Sequence, residues 1–279
     1  MPNRGCSKGT RARLARGRAP HGTTSPPSRP SVISERTAGQ ERNRSLRSQA
    51  ASLAGNLRCG MQEIDLLGRS ELFSAFNEAS LEQIVDQARP ISCERNHVIF
   101  EEGDEATELY VVKSGRVAVG RRSVDGRESL VALMEPGDLF GEMPLFDQGS
   151  RSASARSLER SVVLRIPYGP VREALDRDPP LLWNVVFLLA QRLRATDSAL
   201  ADAVLLDVTG RTAKRLLELA GGASEFQLPI TQEELAGLVG ASRERVNKSI
   251  AAFIRLGWIE QLDRRYRIVQ RDRLEQRAR

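Results

Sequence analysis

Between Ile91 and Ile166 the chain alternates apolar and polar residues in five short segments: His97–Phe100, Leu109–Val112, Arg116–Gly120, Ser129–Leu133 and Val162–Ile166. Turns at Gly103-Asp104, Ser114-Gly115, Asp125-Gly126 and Pro136-Gly137-Asp138 punctuate this stretch. A period of two sends successive side chains to opposite faces of a pleated strand, and short strands at regular spacing predict an antiparallel sandwich or barrel. Asp-Gly suits the twist of a two-residue hairpin, so Asp125-Gly126 is the strongest single turn signal.

The period differs on both sides of this block. From Leu72 to Ala88 two short amphipathic helical patterns occur, with Ser80 as the expected N-cap and Pro90 as the stop. After Asp178-Pro179-Pro180, read as a cap followed by proline in a first helical turn, apolar residues follow a heptad: Leu182, Val186, Leu189, Leu193, Thr196, Leu200 and Ala203. An unbroken alternation of four and three predicts a long dimerising helix; an ordinary amphipathic helix packed on its own domain would show much of the same pattern. Thr196 is the one hydroxyl on the seam, so it either specifies register or faces something polar.

A third segment opens with a helix expected over Thr209–Leu219, closed by Gly221-Gly222, then an extended piece near Phe226–Leu228. Thr231-Gln232-Glu233-Glu234 has the form of a capping box, in which Thr231 is expected to accept from the third-turn amide and Glu234 to reach back to the cap. Leu235, Leu238 and Val239 face inward, Gly240 permits a tight turn, and Ser242 caps a second helix whose core face is Val246, Ile250, Phe253 and Ile254. The opposite face carries Arg243, Glu244, Asn247 and Lys248, and a hairpin follows from Trp258 to Ile268, turning near Asp263-Arg264. This is the grammar of a winged helix-turn-helix. Residues at the start of its second helix reach base edges in the major groove, where Arg or Lys matches guanine and Glu accepts from cytosine. A solvated charged helix end is the alternative reading.

Composition narrows the class. At 279 residues the chain has room for two ordinary domains, or for one and a tail. The most apolar stretch, Leu181–Ala190, is about half of the ~18 residues a membrane helix needs, so a soluble protein is expected, and the cysteine usage fits a reducing cytoplasm. Cys6, Cys59 and Cys93 are scattered and odd in number, which supports neither a disulfide framework nor a four-cysteine metal site. The net charge of +6 divides into +10 over residues 1–60, −9 over 61–207 and +5 over 208–279. A basic, folded-looking end behind an acidic body suggests a polyanion partner at the C-terminus. The basic residues are 38 Arg and 4 Lys, an imprint expected of a GC-rich genome. Residues 1–60 are rich in Arg, Ser, Gly and Pro with no hydrophobic period, as a disordered extension would be; Met61 offers itself as an alternative start.

The run Ala241-Ser242-Arg243-Glu244-Arg245-Val246-Asn247-Lys248, preceded by Leu206-Asp207-Val208-Thr209-Gly210-Arg211, resembles the C-terminal half of the cyclic AMP receptor/FNR family, especially its branch in high-GC bacteria. Upstream, Phe140-Gly141-Glu142-Met143-Pro144-Leu145-Phe146-Asp147 and then Arg151-Ser152-Ala153 resemble that family's phosphate-binding cassette. The resemblance spans residues 61–279. Behind the disordered extension read from composition (1–60), it implies an α+β protein: a jelly-roll-like cyclic-nucleotide-binding β-roll (61–178), a central dimerisation helix (179–207) and a winged helix-turn-helix (208–279).

A cyclic nucleotide offers a phosphate, a ribose hydroxyl and a base edge. The resemblance implies that Arg151 pairs with the phosphate, that Ser152 and the Gly141-Glu142-Met143 backbone hydrogen-bond around it beside Pro144, and that Glu142 accepts from the ribose hydroxyl. Apart from the resemblance, Glu142 and Arg151 read as a structural ion pair or surface charges. The adenine is expected against Thr196 and Asp197, with Arg192 one turn earlier; Val119, Val131 and Leu133 either line the pocket or pack the core. Asp197 replaces a neutral residue, and an acceptor there suits the amino group of adenine and opposes the carbonyl of guanine, so cyclic AMP is expected over cyclic GMP. Pro144 takes a usually small, flexible position, and the spacing from Glu142 to Arg151 is one residue shorter than in enterobacterial relatives. Thr231, Ser242, Arg243, Glu244, Arg245, Asn247 and Lys248 are the implied DNA contacts, Arg245 standing where relatives have a phosphate-touching threonine.

The implied protein is a cyclic AMP-responsive homodimer on palindromic operators, with double-stranded DNA and RNA polymerase as partners and no metal. Within the same family, a regulator of another signal or a constitutive one is the alternative. An iron-sulfur sensor lacks its cysteines, and a haem sensor would have to use His97 or His21, the former better read as a turn residue. A nucleotide module of an enzyme or channel would not carry a winged helix. An enzyme is not expected: no Ser-His-Asp, metal-ligand or P-loop constellation occurs.

Overall fold

The computed structural model describes residues 60–123, 128–263 and 265–279. The N-terminal extension, the Asp125-Gly126 turn and Arg264 lie outside the described residues, together with the expectations placed on them. Two four-stranded antiparallel sheets form the first half. One has the order β1-β8-β3-β6, with β1 Arg89–Cys93, β3 Glu108–Ser114, β6 Leu139–Phe140 and β8 Ser161–Pro167. The other runs β2-β7-β4-β5, with β2 Val98–Phe100, β4 Val117–Arg122, β5 Glu128–Met134 and β7 Ser154–Ser157. The period-two segments become β2, β3, β4, β5 and β8, whereas β1, β6 and β7 lack a strong alternation. Pro90 does not merely stop a helix; it lies within β1.

Strand β3 departs from the alternation expected of it: Leu109 to Val112 is apolar and buried throughout, because both faces of the strand are covered. Tyr110 and Val112 join Phe100, Val117, Phe140 and Val163 between the sheets, while Leu109 and Val111 join a helical layer on the outer face. That layer is built from α1 (residues 60–68), α2 (Glu78–Gln87), α4 (Tyr168–Arg177) and the first turns of α5 (Leu182–Leu205). Asn77, rather than Ser80, caps α2: its carboxamide oxygen accepts from the Ser80 amide at 2.9 Å, and Ser80 is buried in the first turn. Asp178 makes no side-chain cap, and Pro179–Leu181 form a 3-10 turn ahead of α5.

Helix α5 divides its surface. Val185 and Leu188 are buried on the β-roll, while the heptad residues Leu182, Val186, Leu193 and Leu200 are 47–64% exposed. The helix is therefore both packed on its own domain and apolar on its free side.

The C-terminal domain contains α6 (Val208–Ala220), β9 (Glu225–Gln227), α7 (Gln232–Val239), α8 (Arg243–Arg255), the wing strands β10 (Ile259–Leu262) and β11 (Arg265–Ile268), and α9 (Arg271–Arg277). The three strands pair in the order β10-β11-β9. Asp207 caps α6 by accepting from the Gly210 amide, and Gly221 ends it in the left-handed region. Helix α9, which shows no sequence periodicity of its own, folds back on the start of α6. Arg277 pairs with Asp207, and a Cβ at Gly210 would lie 3.0 Å from the Arg277 carbonyl oxygen. Ile254, expected in the core, is 39% exposed; Ser249, 4% exposed, faces inward instead, bonding to Thr209 at 3.2 Å.

Candidate functional site

The cassette is a sharp turn followed by one short helix. Strand β6 ends at Gly141, whose φ of 77° belongs to the left-handed region, and a Cβ there would lie 2.7 Å from Arg151 Nη1. Only glycine suits both constraints. Glu142 then leads into α3 (Met143–Asp147), where Pro144 sits in the first turn. A first-turn amide has no intrahelical acceptor, so proline costs no hydrogen bond there, and its fixed φ suits the helix. Gln148 ends the helix in a left-handed conformation, and the Gly149 amide donates to Asp147 Oδ1 at 2.9 Å.

Arg151, 3% exposed, turns inward. Its Nη1 donates to the Gly141 carbonyl at 2.7 Å and to the Tyr168 hydroxyl at 3.2 Å, and its Nη2 to the Glu108 carbonyl at 2.8 Å. The guanidinium lies 4.2 Å from the centroid of the Phe100 ring, a cation–π contact. Tyr168 also donates to the Gly141 carbonyl at 2.6 Å, and burial pushes its hydroxyl up to about 12. Among the described residues no carboxylate forms an ion pair with Arg151, and its Nε is buried without a hydrogen-bond partner.

Glu142 is fully buried. One carboxylate oxygen pairs with Arg192 of α5, which also donates to the Leu139 carbonyl at 2.7 Å; the other, Oε2, is buried and unpartnered. Burial raises the Glu142 pKa, and the Arg192 guanidinium pulls it partly back. The structure thus brings together Gly141, Glu142, Arg151 and Arg192. It leaves Thr196 and Asp197, one turn beyond Arg192, exposed on α5, with the Thr196 hydroxyl donating to the Arg192 carbonyl at 2.9 Å. Ser152 is exposed and its carbonyl accepts from Arg121 at 3.1 Å, and Met143 is 36% exposed. Pro144 also lines a cavity of about 310 Å³ with Tyr168 and Arg172.

Of the residues weighed as pocket lining, Val119 packs between the sheets, Leu133 against a cluster shared with the C-terminal domain, and Val131 is 64% exposed. Sequence reasoning missed Tyr168 and Phe100, whose distance along the chain from the cassette gave no local signal.

In the C-terminal domain the capping box forms in both directions. The Glu234 amide donates to Thr231 Oγ1 at 3.2 Å, and the Thr231 amide donates to Glu234 Oε2 at 2.7 Å. Gly240 adopts a φ of 67° in the turn, and Ser242 caps α8 by accepting from the Arg245 amide at 3.4 Å. Arg243, Glu244, Arg245, Asn247 and Lys248 are all exposed on the outer face of α8. Lys248 and Glu244 pair at 2.7 Å, and this neighbour holds the Glu244 carboxyl below its usual range. Both are 75% exposed, so either can exchange this partner for another. A cavity of about 490 Å³ lies between the starts of α7 and α8 and the wing, lined in part by Thr231, Gln232, Arg243, Gln261 and Tyr266.

Residues 90–178 match the family of the cyclic nucleotide-binding domain, and residues 210–277 that of the Crp-like helix-turn-helix domain. The CRP-like cAMP-activated global transcriptional regulator of Mycobacterium tuberculosis is 38% identical over 222 residues, which are 77% of this chain and 99% of that one. The cyclic AMP receptor protein of Thermus thermophilus is 38% identical over 159 residues, 57% of this chain and 74% of its own. Among solved structures, FixK2 from Bradyrhizobium japonicum superposes with a TM-score of 0.63 at 22% identity, over 69% of this chain and 98% of its own, a likeness of fold. The c-di-GMP responsive global regulator CLP of Xanthomonas campestris gives 0.60 at 25% identity, over 69% and 99%.

Proposed function

Because the chain belongs to the cyclic AMP receptor/FNR family of DNA-binding transcription regulators, we propose that it is a cytoplasmic homodimer that binds palindromic operators in response to cyclic AMP and there meets RNA polymerase. The domain limits are those read above: β-roll 61–178, central helix 179–207, winged helix 208–279.

The observation that carries the ligand reading is a buried guanidinium, Arg151, that forms no ion pair among the described residues. The buried carboxylate of Glu142 attracts this guanidinium without pairing with it, and a buried charge held only by carbonyls and a phenol is costly in a medium of low polarizability. A phosphate would compensate it. Beside it, the buried Glu142 Oε2 is an acceptor awaiting a donor, as a ribose hydroxyl would be. In this reading Arg151 holds the phosphate, supported by Ser152 and the Gly141-Glu142-Met143 backbone; Pro144, which has no N–H, contributes shape. Arg192 ties the cassette to α5, and Thr196 and Asp197 meet the adenine. Arg151 must exchange some of its internal acceptors for the phosphate, so binding rearranges the Gly141–Tyr168 contact.

On the DNA side, Arg243, Glu244 and Lys248 read bases, while Thr231, Ser242, Arg245 and Asn247 hold the backbone. The dimer forms along the exposed α5 seam, giving half-sites about 10 base pairs apart or a multiple of that. The nucleotide acts by preferring one of two arrangements of the dimer, so nucleotide and operator strengthen each other equally.

Fluorescence anisotropy of the full chain on a palindromic operator and a scrambled control, at fixed salt, tests this. Cyclic AMP should tighten operator binding selectively, Arg151→Ala should abolish the gain, and cyclic GMP should act more weakly on account of Asp197. Operator binding indifferent to cyclic AMP would reject it as the effector and leave a sensor of another anionic nucleotide, such as the one named for the Xanthomonas relative, or a constitutive regulator.

A further inference from the structure

Helix α4 holds the cassette at two points. Tyr168 and Arg172 stand four residues apart, and so on one face of α4. The Tyr168 hydroxyl donates to the Gly141 carbonyl at 2.6 Å, and Arg172 Nη2 donates to the Leu145 carbonyl of α3 at 3.0 Å. The first of these carbonyls is shared, because Arg151 Nη1 donates to it as well, at 2.7 Å. A carbonyl oxygen has two lone pairs, and this one uses both.

The sharing ranks the bonds that Arg151 can give up. Its Nη2 bond goes to the Glu108 carbonyl, and Glu108 lies opposite Pro167 of β8, which has no N–H to take its place. The Gly141 carbonyl, in contrast, keeps Tyr168 when Arg151 leaves. Burial pushes the Tyr168 hydroxyl up to about 12, so at neutral pH it stays a protonated donor. In a planar trans peptide the Gly141 carbonyl points opposite to the N–H of the next residue, Glu142. Burial raises the Glu142 pKa, the Arg192 guanidinium draws it back, and so does the Glu142 amide, which places that amide on the side of the carboxylate and away from Tyr168. Holding the carbonyl inward therefore keeps the amide turned toward the ligand's side of the cassette.

We infer that Tyr168 is a positioning residue for the phosphate: it is the reserve donor that keeps the Gly141 carbonyl in place, and the Glu142 amide turned outward, when Arg151 gives up that carbonyl for the phosphate of a cyclic nucleotide. The inference rests on the ligand reading above. Tyr168 makes no contact with the nucleotide in this scheme; it acts through Gly141, while Arg172 steadies α3.

Tyr168→Phe in the full chain keeps the ring and removes the donor. Hydrogen exchange of residues 141–147 reports the cassette, and titration calorimetry reports cyclic AMP. Without nucleotide, Tyr168→Phe should leave cassette exchange close to wild type, since Arg151 still holds the carbonyl. Arg151→Ala should do the same, since Tyr168 holds it, and the double variant should exchange much faster than either. In saturating cyclic AMP, which draws Arg151 away, Tyr168→Phe alone should exchange faster than wild type. Its affinity for cyclic AMP should fall on the order of tenfold, the usual effect of a buried acceptor left unpaired. A phenol that only packs would speed exchange equally with and without Arg151 or nucleotide, and that result overturns the inference. So does an unchanged affinity, or a gain, which would make Tyr168 a restraint on Arg151 instead of its replacement. Should the double variant unfold, the comparison in saturating cyclic AMP decides. Wild-type protein that binds no cyclic AMP refutes the effector reading instead; the nucleotide-free variants then decide, and a double variant no faster than the single ones ends the inference.

Discussion

Glu128 and Arg156 show how one residue pair serves two domains. The paired guanidinium holds the Glu128 carboxyl below its ordinary range, and Glu128 raises Arg156 in return. A carboxylate whose folded pKa is depressed contributes stability that is fully present above its unfolded value, about 4.3, and is lost as pH falls through the lower folded value. Glu128→Gln should therefore lower the urea midpoint at pH 7, and the difference from wild type should vanish in strong acid; a difference independent of pH would remove the ion pair from the account. Arg151 teaches the opposite lesson. Its place in a run that resembles a phosphate-binding cassette was legible from Gly141, Glu142 and the neighbouring Ser152, but its inward direction was not, because its acceptors belong to Glu108 and Tyr168 on other elements.

At the scale of elements, the two residues of the α7 capping box were legible, although the amide that Thr231 accepts from is that of Glu234 in the first turn rather than one in the third. The bonds between Thr231 and Glu234 depend on residues three apart, and that spacing is written in the chain. Thr231→Ala should cost about 1 kcal/mol in denaturant unfolding, the usual worth of an N-cap. Glu234→Ala should cost more, since Glu234 also meets Arg95 and Arg156 across the domain boundary. Equal costs would mean that those longer ion pairs contribute nothing. The cap of α2 was misplaced for a related reason: Asn77 and Ser80 both suit a cap, and only the packing of Ser80 inside the first turn decides between them. Strands β1, β6 and β7 were missed because they are short or lack strict alternation, so their place comes from pairing with β8, β3, β2 and β4 rather than from a pattern of their own.

For the whole molecule, the heptad on α5 sets the expected assembly. Leu193 and Leu200 expose 62% and 64% of their surface on the free side of a helix whose other side packs on the β-roll. A charge in that seam would be buried unpaired at a helix–helix interface, so Leu193→Asp should shift sedimentation toward monomer and weaken palindrome binding, leaving the β-roll folded. An unchanged dimer would place the interface elsewhere.

The sequence by itself determined the α+β class, the period of each long element, the paired caps and glycine turn of the helix-turn-helix, and the apolar seam of α5. Each of these is encoded in neighbouring residues or in a repeat, so elementary geometry reads it directly. Only the tertiary structure decided that Arg151 turns toward Tyr168, that α9 packs on the start of α6 beside Asp207, and that Gly237 meets Leu130. These contacts join residues between 17 and about 107 positions apart, and no local period carries them: they exist because separately formed elements cross at particular points, where a missing Cβ or an unpaired charge decides how closely they can approach.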